Sequence, residues 1–352
     1  MKMTSSLLKI LFGSLAFLIT GCASLETVSN SRLETVKKRD ELICGVSGKI
    51  PGFSFMSQDG SYKGLDVDIC RAIAAALIGN SEKVQYRPLT APERFTALRS
   101  GEIDILSRNT THTLSRDAAG GNGVSFGPVV FHDGQGLMVK NESGINSLED
   151  LSGKAICVGS GTTTEQNLND VFETQKLPYT PIKYQDLNQV VSGYLQGRCA
   201  AMTSDRSQLA AARSGFSDSE KHVILDDRLS KEPLSPAVIG GDQPMADAMR
   251  WIIYALIEAE ERGITQANID TILQNAINDR SLAALRRFLG VDSGLGQKLG
   301  LPDNFVVKII KATGNYGEIY ERHLGINSSV KIPRGANSLA RDGGLMIAPP
   351  FT

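Results

Sequence analysis

Lys154-Ala155-Ile156-Cys157-Val158-Gly159-Ser160-Gly161-Thr162-Thr163-Thr164 runs from a short apolar stretch through a glycine turn into hydroxyl residues that open a helix-forming segment, Glu165–Glu173. A short apolar run bounded by glycine reads as a buried strand. Threonines directly before a helix read as its cap. The same order recurs upstream. Leu42-Ile43-Cys44-Gly45-Val46 reads as a strand, and Ile69, Ala72, Ile73, Ala76 and Leu77 recur at helical spacing, with Asp66 or Asp68 as the expected cap. A short helix near Glu93–Arg99 leads through Gly101 to a strand at Ile103–Ser107. Downstream, Tyr184 ends a strand, Asn188–Gln196 is a helix, Cys199–Thr203 a strand and Ser207–Arg213 a helix. Strand–helix alternation predicts an α/β fold with parallel-rich sheets flanked by helices. Because the pattern restarts after Val139, two such units follow one another. Met245, Met249, Ile252, Ile253, Leu256 and Ile257 then mark a long amphipathic helix, and the chain ends in a helix-rich region and a Gly/Pro-rich tail.

The chain has 352 residues, enough for about two domains. Its formal net charge of −1 argues against nucleic acid, which demands concentrated Lys and Arg. At the start, Lys2 and Lys9 precede an apolar run from Ile10 to Ile19, too short for a membrane-spanning helix of about 20 residues. This is the form of a signal peptide over residues 1–21. Leu18-Ile19-Thr20-Gly21-Cys22 resembles a bacterial lipobox, so Cys22 is the expected lipidated first residue of the mature chain, opening a tether over 22–40 in which a first helix follows the polar start. Four cysteines remain, Cys44, Cys70, Cys157 and Cys199. In an exported chain they suggest disulfides, with three pairings open. Metal binding is disfavoured, because no pair has C-x-x-C spacing and the four His are scattered. Buried thiols are the plain alternative.

A longer set of motifs points to a family. Gly52-Phe53-Ser54 precedes an Asp59-Gly60 turn, and Gly64-Leu65-Asp66-Val67-Asp68-Ile69 opens a helix. Gly101-Glu102-Ile103-Asp104-Ile105 leads to Thr111, Thr113 and Arg116. Val124-Ser125-Phe126-Gly127-Pro128, the Asp150–Lys154 turn, the Gly161-Thr162-Thr163 loop, Gly197-Arg198-Cys199 and Asp205 complete the series. Their order over nearly the whole mature chain resembles the polar amino-acid-binding proteins of bacterial ABC transporters. Ser107-Arg108-Asn109-Thr110-Thr111, Lys231-Glu232-Pro233-Leu234, the four cysteines and the Gly343–Pro350 tail are similar to the general L-amino acid-binding subfamily. Two departures stand out. Ala200 replaces the usual Asp after Arg-Cys, and Lys49-Ile50 stands where many relatives place an aromatic ring.

The resemblance implies a two-lobed, type II periplasmic binding protein fold. Residues 41–135 form the first part of lobe 1, 136–235 form lobe 2, and 236–352 return to lobe 1 and add a helical extension. Hinge strands are expected near Val130–Leu137 and Lys231–Pro236. The resemblance puts Asn109, Thr111 and Arg116 on lobe 1, with Thr163 and Asp205 on lobe 2, around one amino acid. Each residue suits that task. Arg116 offers a planar cationic fork for the carboxylate. Thr162 and Thr163 stand at a helix N-terminus, where free N–H groups favour an anion. Asp205 pairs the ammonium. Lys49 and Arg108, near the expected side-chain pocket, favour acidic or polar ligands. Pairing Cys44 with Cys70 and Cys157 with Cys199 keeps each disulfide within one lobe. The implied protein is a monomeric, extracytoplasmic binding component without cofactor, metal or nucleic-acid partner. It is held at the membrane by its lipid and delivers L-amino acids to a permease.

Other classes are weaker. Gly123-Val124-Ser125-Phe126-Gly127 matches the G-x-S-x-G hydrolase pattern, but Pro128 follows at once and no strand–elbow–helix is evident. Gly159-x-Gly161 lacks the third glycine of a dinucleotide loop. A sensor subunit, or a dehydratase built on the same fold, are the remaining alternatives, and catalysis would need a general acid in the cleft.

Overall fold

The computed structural model describes residues 31–352. The signal peptide and Cys22 lie outside the described residues. Two five-stranded sheets organise the chain. In the first, Leu42–Val46 runs parallel to Val84–Pro88 and Ile105–Leu106, and Ala237–Ile239 returns antiparallel between Ile105–Leu106 and Val124–Phe126. In the second, Ala155–Gly159 runs parallel to Thr180–Tyr184 and Ala201–Asp205, while Gln135–Lys140 runs antiparallel to Ala201–Asp205 and His222–Ile224. Each sheet is the centre of one lobe. Between them, Phe131–Asp133 and Glu232–Leu234 pair antiparallel as a two-stranded ribbon, with Glu232 opposite Asp133. The two segments expected as hinge strands are thus hydrogen-bonded to each other.

Lobe 1 carries most of the helical mass. The helix Leu65–Leu77 is buried along almost its whole length and packs on the helix Phe305–Thr313. Asp66 and Asp68 do not cap it. Gly64 is the N-cap, at φ 138°, because a Cβ there would meet the Phe53 carbonyl oxygen at 2.1 Å. Both carboxylates serve inside the first turn instead. Asp66 accepts from Ser107 Oγ at 3.2 Å, and Asp68 pairs with Arg322 at 2.6 Å and His323 at 2.7 Å.

The first helix expected after the tether is Arg32–Arg39, and it is docked, with Leu33 and Val36 buried. Ser31 Oγ donates to Asp242 at 2.7 Å, and Arg32 and Arg39 both pair with the buried Asp104. The Gly/Pro-rich tail folds back onto the same lobe. Phe351 sits edge-on to Trp251 and Phe288, and Asn337 Oδ1 accepts the backbone N–H of His132 at 2.6 Å. Tyr316 Oη donates to the Val130 carbonyl at 2.8 Å, so one hinge strand rests on the C-terminal extension.

The disulfides are Cys44–Cys70 and Cys157–Cys199. They close sequence separations of 26 and 42 residues, for which chain entropy gives about 3–4 kcal/mol each. Because neither bridge crosses the hinge, replacing Cys157 and Cys199 by Ser is expected to lower the unfolding free energy by about that much while leaving ligand-driven closure intact. Denaturant unfolding alongside ligand titration of the variant measures both.

Candidate functional site

One cavity of about 310 Å³ lies between the lobes, within the range of small-ligand sites. The segments that line it leave the carboxyl ends of the strands: Ser47 and Lys49 after Val46, Leu89 to Arg94 after Pro88, Arg108 to Arg116 after Leu106, Ser160 to Thr164 after Gly159, and Asp205 at the end of its own strand. This is where open α/β sheets place ligands, since loops there converge without covering helices. Asn109, Thr111, Arg116, Thr162, Thr163, Asp205, Arg108 and Lys49 all line this one cavity.

On lobe 1 the loop from Ser107 is tied down by Asp66. Asn109 takes a left-handed φ of 42°, which Asn tolerates better than most side chains. Both polar atoms of its side chain are buried without a partner. Arg116 Nη1 donates to the Thr111 carbonyl at 2.8 Å, which fixes the guanidinium 5.5 Å from the centre of the Phe95 ring. Burial pushes Arg116 below its ordinary value, and Glu232 and Asp205 oppose that push. Arg108 Nε donates to the Leu89 carbonyl at 2.8 Å. Burial, reinforced by Arg116 and opposed by Asp66, takes Arg108 down to about 10.

Lobe 2 supplies the helix N-terminus and the acid. Thr162 caps the helix Thr163–Thr174. Its hydroxyl donates to the Gly159 carbonyl at 2.7 Å and accepts the Glu165 N–H at 3.1 Å. The first-turn amides of Thr163 and Thr164 have no intrahelical acceptor and carry the positive end of the helix dipole. Gly161, at φ 69°, makes the turn that brings them there. Gln135 Nε2 holds the Thr164 carbonyl and Thr203 Oγ1, both at 2.9 Å. Asp205 is only 4% exposed and accepts from Gln208 Nε2 at 2.7 Å. Burial pushes its carboxyl well above the usual range, and the nearby Asp133 and Glu232 push it the same way. Asp133 itself is raised to about 6, chiefly by burial.

Lys49, among the lining residues, pairs with Asp186 of the other lobe at 2.8 Å, and with Lys49 half exposed the pair is worth little. A further cation lines the cavity. Arg94, 3% exposed, has its guanidinium 4.9 Å over the Phe95 ring and its Nε buried without a partner. Burial lowers its pKa well below normal, and Arg108 and Arg116 add to that. No local sequence signal marks Arg94, Asp133, Asp186 or Gln208, and Glu232 stands out in the sequence only within the Lys231–Leu234 motif.

The cavity therefore has two poles. Arg116, Arg94, Arg108 and the helix N-terminus offer the cavity groups that attract an anion. Asp205, with the charges of Asp133 and Glu232 near it, offers one that attracts a cation. Ser125 lies mid-strand, paired with Val238, so Gly123–Gly127 is no nucleophile elbow.

Comparisons with known proteins identify the family. The relatives include the general L-amino acid-binding periplasmic protein AapJ of Rhizobium johnstonii, 45% identical over 350 residues, covering 99% of both chains. The glutamate/glutamine/aspartate/asparagine-binding protein BztA of Rhodobacter capsulatus is 43% identical, covering 97% of this chain and 98% of its own. Among solved structures, an ABC transporter periplasmic binding protein from Brucella ovis with glutathione bound superposes with a TM-score of 0.86 at 43% identity, covering 92% of this chain and 99% of its own. The family model for bacterial extracellular solute-binding proteins, family 3, matches residues 42–326, and this chain belongs to that family.

Proposed function

We propose that this protein is the extracytoplasmic binding component of an ABC transporter for L-amino acids. In this reading one ligand is clamped between the lobes. Its carboxylate lies against Arg116 and the amides of Thr163 and Thr164, and its ammonium against Asp205. The observation that supports this most strongly is that Arg116 of one lobe and Asp205 of the other, a cation and an acid, line one cavity. A zwitterion satisfies both poles at once, and only when the lobes are together. The lobes are residues 41–135 with 236–352, and residues 136–235. The ribbon of Phe131–Asp133 and Glu232–Leu234 is the hinge between them. Cys22 carries the lipid that keeps the protein at the membrane, where it meets the permease.

Arg94 and Arg108 give the side-chain end of the cavity a positive character, so dicarboxylic and amide amino acids are the preferred ligands. Replacing Arg94 by Met, which keeps the bulk, is expected to weaken L-glutamate by about tenfold or more and L-glutamine far less. A second ligand class, γ-glutamyl peptides, is favoured by the same pair of cations beyond Arg116, because such peptides carry another carboxylate past the zwitterionic head. The test of the function is calorimetric titration of refolded, ligand-stripped protein with the twenty L-amino acids, D-glutamate and glutathione. Saturable binding of L-amino acids supports the reading. Absence of heat with all of them, from folded protein, removes it.

A further inference from the structure

Glu232 lies in the hinge ribbon and is only 1% exposed, yet it touches both lobes. Its Oε2 receives the hydroxyl of Thr111 from lobe 1 at 2.5 Å and that of Thr163 from lobe 2 at 2.9 Å. Its Oε1 receives Asn167 Nδ2 at 2.8 Å and Ser230 Oγ at 2.5 Å. Four donors around one side chain suit a carboxylate, which only accepts. Each threonine has a single hydroxyl proton. With both protons directed at Glu232, the two oxygens, 3.3 Å apart, turn their lone pairs outward.

We propose that Glu232 is a positioning residue. It orients Thr111 and Thr163 as acceptors for the ligand's ammonium, and it joins the lobes through those two hydroxyls when the cleft closes. This rests on the amino-acid reading above for the ligand, but not for the link between lobes. The charges around Glu232 fit the role. Asp133 is its cross-strand partner, Asp205 is the third carboxylate of the cluster, and Arg116 is the neighbouring cation. An ammonium adds positive charge to a group in which three carboxylates share one neighbouring guanidinium.

The test uses the full chain with Glu232→Gln, which keeps the shape and removes the charge. Affinities for L-glutamate and for glutarate, its analogue without the amino group, are measured by titration and displacement. The preference for L-glutamate over glutarate is expected to fall by about tenfold. Thr163→Val should lower the same ratio, and the double variant should add little to either single change. An unchanged ratio, or an equal loss for both ligands, overturns the proposal. If Glu232→Gln does not fold, Thr163→Val alone carries the ratio test. If the unaltered protein binds L-glutamate too weakly, the L-amino acid it binds best and that ligand's desamino analogue replace the pair. If it binds none of the twenty, the amino-acid reading has failed, and the link is tested without ligand. Spin labels at the exposed Glu82 and Glu173, one on each lobe, should give a wider spread of distances in Glu232→Gln. An identical spread overturns the link as well.

Discussion

Arg116→Ala should weaken amino-acid binding by about 30-fold to several thousand-fold, corresponding to roughly 2–5 kcal/mol for truncating one side of a buried charge pair. The size follows from the surroundings. Arg116 is 7% exposed, its orientation is fixed by the Thr111 carbonyl, and it feels the charges of Glu232 and Asp205. Removing it takes away the carboxylate's fork and leaves the acidic cluster with less compensation. Arg116→Lys should restore little, because an ammonium cannot reproduce the bidentate geometry. Titration calorimetry reads the affinity. Thermal unfolding of the ligand-free variants separates a lost contact from a loosened 107–116 loop.

Asp205→Asn should produce a comparable loss, together with a change in pH dependence that Arg116→Ala does not cause. In the free protein, burial and the neighbouring Asp133 and Glu232 raise the Asp205 carboxyl well above its ordinary range. An ammonium placed beside it favours the charged form, so binding releases a proton. Affinity should therefore rise with pH from the ordinary carboxylate range near 4 until the free value is passed, by up to about tenfold per pH unit for one proton. Asp133, raised to about 6, extends the same window. Titration in buffers of different ionisation enthalpy counts the proton directly. In Asp205→Asn the count and the slope should both shrink.

Stability moves the other way. A carboxyl raised in the folded state binds its proton more tightly there. Its contribution is favourable at low pH and is lost as pH rises through the unfolded value toward the folded one. Near pH 7, Asp205→Asn should thus be at least as stable as the unaltered chain, and its weaker binding is not a folding defect.

Much of this was legible in the residue order. Gly159–Thr164 encodes a strand end, a left-handed turn and an N-cap in consecutive positions. Local chemistry therefore fixes both the element and the exposed amides. Arg116 and Asp205 stand out through the family resemblance, since alone they read as a surface arginine and a helix cap. What local sequence does not carry is pairing across the fold. Glu232 meets Thr111 from 121 residues away and Thr163 from 69 residues away. Lys49 meets Asp186 from 137 residues away, a pair between the lobes that no local pattern announces. Arg94 looked like any helix-opening arginine until the loops from Pro88 and Leu106 enclosed it. Gly64 displaced Asp66 and Asp68 as the cap because of a close approach to Phe53, a constraint set by tertiary packing.

The most direct test of the clamp is a crystal structure of ligand-stripped protein after addition of L-glutamate. The account predicts the ligand between the lobes, its α-carboxylate on Arg116 and the Thr163 and Thr164 amides, and its ammonium on Asp205. A ligand held by one lobe alone, or bound with its ammonium away from Asp205, would contradict it.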